Sequence, residues 1–168
     1  MMQLKLYRKL KGADPANSIV AGNLLLNGVD FLATDGVDSE TLFELDIMAS
    51  EAELPQIKKT VIDAMVNPNQ HDYLLQHGHK NEGGLKRKVY GATIAVETDF
   101  DPDAIGYHGI LRDRYELGER IGRVTRYALW HLTFQDATLK PVERRAYAEQ
   151  LRDFFANPNF QKARIRVY

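Results

Sequence analysis

The 168-residue chain contains no cysteine. That excludes disulfide staples, thiolate nucleophiles and cysteine-based zinc sites, and it fits a reducing compartment. Serine is scarce: only Ser18, Ser39 and Ser50 occur, and none lies in the Gly-x-Ser-x-Gly turn that presents a catalytic serine. No window reaches the roughly 18 consecutive apolar residues of a membrane span. The opening MMQLKLYRKLKG lacks the apolar run of a signal peptide. A soluble cytoplasmic protein with no membrane partner is the expectation. An excess of one charge is also lacking: 22 Lys and Arg stand against 23 Asp and Glu, a net charge of −1. Attraction to nucleic acid must therefore come from a local patch.

What is present is ordinary for a globular protein. Hydrophobic residues make up 44% and charged residues 27%, which argues against wholesale disorder. The length suits a single α+β domain over residues 1–168 with its own core. Residues 1–40 read as an N-terminal β extension. Within it, Gln3 to Leu10 alternates as an edge strand with lysines to solvent. Asn27-Gly28 between Leu24-Leu25-Leu26 and Val29 to Leu32 reads as a hairpin turn. A helix over Ser18 to Leu26 is the competing reading.

From Thr41 the pattern is clearer. Phe43, Leu45, Ile47 and Ala49 share one face of a strand, with Glu44 and Asp46 on the other. Ser50 and Glu53 form a capping-box signature, followed by a helix with Ile57, Val61 and Met65 inward. His71 to His77 reads as a strand, Gly78 to Gly84 as a loop, and Leu85 to Thr98 as a long strand. Asp99 to Gly109 is irregular. Arg112 to Phe134 fits the longest helix, with Leu117, Ile121, Val124, Ala128 and Leu132 on one stripe at ~100° per residue. Pro141 opens a further helix to Ala156, and Gln161 to Tyr168 forms the last strand.

"Helix, Asn-Pro-Asn, strand" occurs twice, at Val66 to Leu75 and Ala156 to Val167. This fits a duplicated β-α-β unit. It fits equally an independent reuse of Asn-Pro as a helix stop, which needs no duplication and is preferred. The order of elements suggests an antiparallel or mixed sheet with helices on one face. It matches the split β-α-β pattern of ferredoxin-like folds, with an added N-terminal strand and hairpin. In that arrangement Arg164 and Arg166 of the last strand face Glu44 and Asp46.

Four groups of residues could carry function. On the expected long helix, Tyr115, Arg123, Arg126 and Trp130 gather opposite the apolar stripe. Arg, Tyr and Trp are enriched in binding hot spots, so a protein-binding or self-assembling face without chemistry is the leading expectation. A basic stretch, Lys86, Arg87 and Lys88, with Arg164 and Arg166, could hold nucleic-acid phosphates; a solvated edge explains the same residues. His77 and His79 alternate, and with His71 they could ligate a metal in a small metal-dependent enzyme. Asp99, Asp101 and Asp103 resemble a calcium loop only loosely, since Ala104 replaces the glycine and Ile110 the glutamate; turn formation and helix capping explain them better. His131 reads as a hydrogen-bonded packing residue. Glu44, Asp46 and Glu97 read as members of a charge ladder. No cofactor is implied.

Overall fold

The computed structural model describes residues Met1 to Tyr168. Met2–Leu10 forms β1, in which Leu4 and Leu6 point to one side and are fully buried. Leu32–Ile47 forms the long β2, Leu54–Met65 α2 and His71–His77 β3. Between β1 and β2 the chain forms a helix, α1 (Pro15–Leu26), where the sequence suggested a hairpin. Asp14 caps its start, its side chain accepting from Ala16 N at 2.9 Å. Asn27 is the C-cap and Gly28 follows at φ +81°. The Asn-Gly pair thus ends a helix, a task that uses the same positive-φ freedom as a hairpin turn.

The rest of the chain repeats this order. A three-residue strand, β4 (Lys80–Glu82), is followed by β5 (Ala92–Thr98), α3 (Pro102–Gly109), β6 (Ile121–Phe134), α4 (Pro141–Phe155) and β7 (Gln161–Val167). The repeat of structure is therefore deeper than the Asn-Pro-Asn turns. Asp101 caps α3 as Asp14 caps α1, each before a proline. Phe100 and Glu116 take positive φ (55° and 56°) where Gly12 and Gly28 do so in the first half. In the two Asn-Pro-Asn turns, Asn67 and Asn157 accept from Asn69 N and Asn159 N, both at 3.0 Å. Their carbonyls accept from His71 N and Gln161 N, both at 2.8 Å.

Residues 112–134 are not a helix. A five-residue π-turn (Ile110–Arg114) and a 3-10 turn (Gly118–Arg120) lead into β6. The helical stripe competes with a strand signal over the same residues. Ile121, Val124, Thr125, Tyr127, Trp130, Thr133 and Phe134 are β-branched or aromatic, and glycines sit at 118 and 122. Those types favour a pleated surface, and glycine weakens a helix interior. Likewise Leu85 to Gly91 carries no regular structure, so β5 is shorter than the strand expected there.

The strands form one antiparallel sheet in the order β4-β3-β1-β2-β6-β5-β7. β1 lies between β2 and β3 and is not an edge. The last strand pairs with β5, not with Thr41–Ala49, so the ferredoxin-like arrangement does not form. Arg164 and Arg166 lie opposite Ala95 and Thr93. Glu44 instead meets Lys5 at 3.0 Å.

The chain divides into two compact units. The first contains residues 1–11, 41–86 and 100–126; the second contains 12–40, 87–99 and 127–168. In the first, Leu4, Leu6, Phe43, Leu45, Ile47 and Leu75 meet Ile57, Val61 and Met65 of α2, with Leu111 and Leu117. In the second, Ile94, Val96, Leu132 and Phe134 meet Leu24 of α1 and Ala148 and Leu151 of α4. In each unit the core residues of paired strands share one face of the sheet, and the helices cover that face. The halves have exchanged helices: the first unit takes α3 from the second half, and the second takes α1 from the first.

β2 and β6 each contribute to both units. At Gly36, a Cβ would stand 2.6 Å from the Ala33 carbonyl oxygen and 2.7 Å from that of Thr133. This close backbone approach admits only glycine.

Candidate functional site

The arginine-aromatic helix face does not exist as such, because β6 distributes its members by strand alternation. Arg126 is committed within the first unit. Its Nη1 donates to Asp101 Oδ2 at 2.9 Å while Asp101 Oδ1 accepts from Ala104 N, so the pair braces the start of α3. The aspartate run is thus a helix cap. Trp130 is half-buried in the second unit, its ring 5.1 Å from that of Phe155 on α4. Arg123 points to the opposite side of β6 from Arg126 and Trp130, and Tyr115 follows the π-turn.

The histidines do not converge. His71 and His77 stand at opposite ends of β3, about 20 Å apart at ~3.3 Å per residue. His79 lies in the turn to β4. No group of three or more His, Asp or Glu side chains is arranged to hold a metal ion. His77 and His79 line a cleft of about 750 Å³ in the first unit. Two of its lysines are taken by its own acids, Lys58 by Glu82 at 2.5 Å and Lys59 by Asp63 at 2.6 Å.

Of the basic residues, Arg87 reaches Glu40 at 3.0 Å. Lys86 and Lys88 are exposed on the irregular segment before β5. Arg164 and Arg166 project with Lys162 from β7, on the face opposite Ala163, Ile165 and Val167. Glu97 approaches Arg164 only to 3.9 Å.

β7 has a second property that its side chains do not reveal. It is the outermost strand of the sheet, seven residues long, in unbroken register with β5 and without proline. Phe160 accepts from Asp99 N at 2.9 Å, and Tyr168 N donates to Gly91 at 3.1 Å. Hydrogen-bonded pairs alternate in an antiparallel ladder. The even-numbered residues of β7 therefore bond β5, and Ala163, Ile165 and Val167 aim their N–H and C=O groups outward. No segment of the chain pairs with them. The opposite edge strand, β4, spans only three residues.

His131 is the hydrogen-bonded packing residue expected of it, and the partners that make a buried polar cluster around it in the second unit escaped the sequence reading. His131 Nδ1 lies 2.8 Å from Thr93 Oγ1, and its Nε2 lies 3.1 Å from Glu40 Oε1. The N–H direction misses Glu40, however, so Nε2 has no in-line acceptor despite the short separation. The Tyr90 ring stacks on the imidazole at 4.2 Å, and its hydroxyl donates to Asp38 at 2.6 Å. Burial, with the Asp38 carboxylate next, pushes the Tyr90 hydroxyl well above its ordinary value. Burial is also the largest single influence on Glu40 and opposes its ionisation. His131 and Arg87 outweigh it together and hold the carboxyl below its ordinary value.

Carboxylate, imidazole and hydroxyl stand in the sequence of a charge relay. Yet Thr93, His131 and the Glu40 side chain are each more than nine-tenths buried, and Tyr90 covers one face of the ring. Substrate has no open side from which to reach Thr93. The cluster fastens segment 87–91 to the sheet. Its only sequence signal is a polar residue inside each of two apolar strands, Thr93 and His131.

No protein-family model, curated protein or solved structure matches the chain. No helix is long and apolar enough to cross a membrane.

Proposed function

We propose that the protein is a non-enzymatic binding module that takes an extended segment of a protein partner onto the outer edge of β7. The supporting observation is the open, regular ladder there: three successive outward-bonding residues, Ala163, Ile165 and Val167, with no pairing segment. An unprotected edge is a template for strand addition. Charge selects the occupant. A second copy of β7, paired antiparallel about Arg164, would set Lys162 against Arg166 and Arg164 against itself. Like charges directly opposite destabilise a strand pair. A partner strand with acidic residues at alternate positions gains at each of these places, by roughly 0.2–1 kcal/mol per pair.

The test is fluorescence anisotropy with a labelled peptide alternating Glu and Val, against a scrambled peptide of the same composition. Ala163→Pro removes one outward N–H and leaves the bonds to β5 intact, a substitution edge strands tolerate. The alternating peptide is expected to bind, the scrambled one to bind at least tenfold more weakly, and Ala163→Pro to reduce binding by a similar factor at unchanged melting temperature. Equal binding of both peptides, or an unaffected Ala163→Pro, sinks the proposal. The same assay examines the nucleic-acid reading. Single-stranded RNA that binds Ala163→Pro normally, and is lost with Arg164→Ala and Arg166→Ala, replaces strand addition by phosphate recognition.

A further inference from the structure

The second unit contains a cleft that neither its buried polar cluster nor the β7 edge uses. It has a volume of about 730 Å³ and lies between α1 and the chain leading into β2. The size is that of a site for a single small molecule. Ala21, Gly22 and Leu25 of α1 form one wall, and Val29, Leu32 and Val37 contribute the other.

Two features separate this cleft from an accident of packing. First, α1 reads PANSIVAGNLLL, without a charged residue, and Leu25, which lines the cleft, is more than half exposed. An uncharged helix that is apolar on its outer side as well is normally covered. Second, the charged groups that line the cleft are all of one sign. Asp30 and Asp35 are the acids, no Lys or Arg lines it, and neither acid forms an ion pair. Both residues are exposed, so the carboxylates stand at the solvent side of the cleft.

We propose that the cleft binds a small cationic amphiphile, an amine on an apolar body. The apolar walls supply the driving force, through surface removed from water. The two carboxylates set the sign of the polar end, since an unpaired acid beside a low-dielectric wall favours a cation and repels an anion. Ser18 and Thr34 offer hydroxyl partners for the remaining ammonium hydrogens.

Titration calorimetry with decylamine, decanol and decanoate below their micellar concentrations separates the contributions. Decylamine is expected to bind saturably at one site, at least fivefold tighter than decanol, with decanoate weakest. A Cβ on Gly22 would meet no atom within 4 Å, so Gly22→Leu enters open space and fills the cleft. Leucine is also the better helix former. This variant is expected to keep or raise the melting temperature and to lose decylamine binding. Asp30→Asn combined with Asp35→Asn should bring decylamine down to the affinity of decanol and leave decanol unchanged. Binding of decylamine and decanoate with equal affinity, absence of saturable amine binding, or full binding by Gly22→Leu would overturn the proposal. The peptide assay at β7 is independent of all these outcomes.

Discussion

His131→Phe is the most informative single change in the buried cluster. Phenylalanine keeps a flat ring under Tyr90, so the stacking at 4.2 Å persists and only the polar contacts are removed. Two groups lose a partner. Thr93 Oγ1 loses its 2.8 Å contact and keeps only the Tyr168 hydroxyl at 3.3 Å. Glu40 loses the imidazole at 3.1 Å and keeps Arg87 at 3.0 Å. An unsatisfied buried polar group costs about 1–3 kcal/mol. Since both residues retain a second contact, the expected loss is about 3 kcal/mol. At about 2–4 °C per kcal/mol for a chain of this size, the melting temperature should fall by about 6–12 °C.

Urea denaturation of the wild type, His131→Phe, Glu40→Gln and the double variant then tests whether the cluster acts as a unit. The double variant should lose less than the sum of the singles by at least ~1 kcal/mol, since the partners touch. A pH series adds a second reading. The Glu40 carboxyl is depressed in the folded state below its ordinary value of 4.5. Its stabilising contribution is therefore present above about pH 4.5 and lost as the pH falls through the folded value. The stability difference between wild type and Glu40→Gln should shrink over that acid range. Additivity within about 0.5 kcal/mol, together with a pH-independent difference, would refute the coupling.

Two other changes probe the core. Trp130→Ala should lower the melting temperature by about 6–12 °C, from a loss near 3 kcal/mol at the low end for a truncated buried aromatic, with particle mass unchanged. A fall in particle mass with an intact melting temperature would restore Trp130 to an interface. Gly36→Ala should cost about 3 kcal/mol or more by urea denaturation, because its Cβ meets two carbonyl oxygens inside 2.8 Å, whereas Gly22→Ala should be neutral or stabilising. Equal effects at the two glycines would contradict the close approach at Gly36.

The reach of the sequence follows the range of the interactions that decide each element. α2, β3, α4 and β7 were legible because local signals agree there: periodicity, a proline near each helix start and Asn-Pro-Asn at each end. α1 was misread because Asn-Gly serves a helix end as well as a hairpin turn. β6 was misread because Leu117, Ile121, Val124, Ala128 and Leu132 satisfy a helical period, while Ala128, Trp130, Leu132 and Phe134 satisfy the strand period. Sheet pairing with β5 decides between the two. The position of β7 was out of reach for a similar reason, since nothing in Gln161 to Val167 names its partner strand. The Glu40–His131–Thr93 contacts join residues from three distant segments, and no spacing rule connects them. The open edge and the α1 cleft are properties of what does not pair or fill, which composition cannot express.

The exchange of helices between the two halves bears on how the chain is made. During synthesis the first unit lacks Leu111, Leu117 and Ile121 until the ribosome has passed position 121, although β1, α2 and β3 emerge much earlier. The second unit, whose α1 leaves the ribosome before α2 and β3, waits for α4 and β7. Neither core can close domain by domain behind the ribosome, the usual route for longer chains. The nascent chain therefore carries an uncovered apolar helix and unfinished strands until those later segments emerge. Its folding is governed by contacts between remote segments, which form late and slowly.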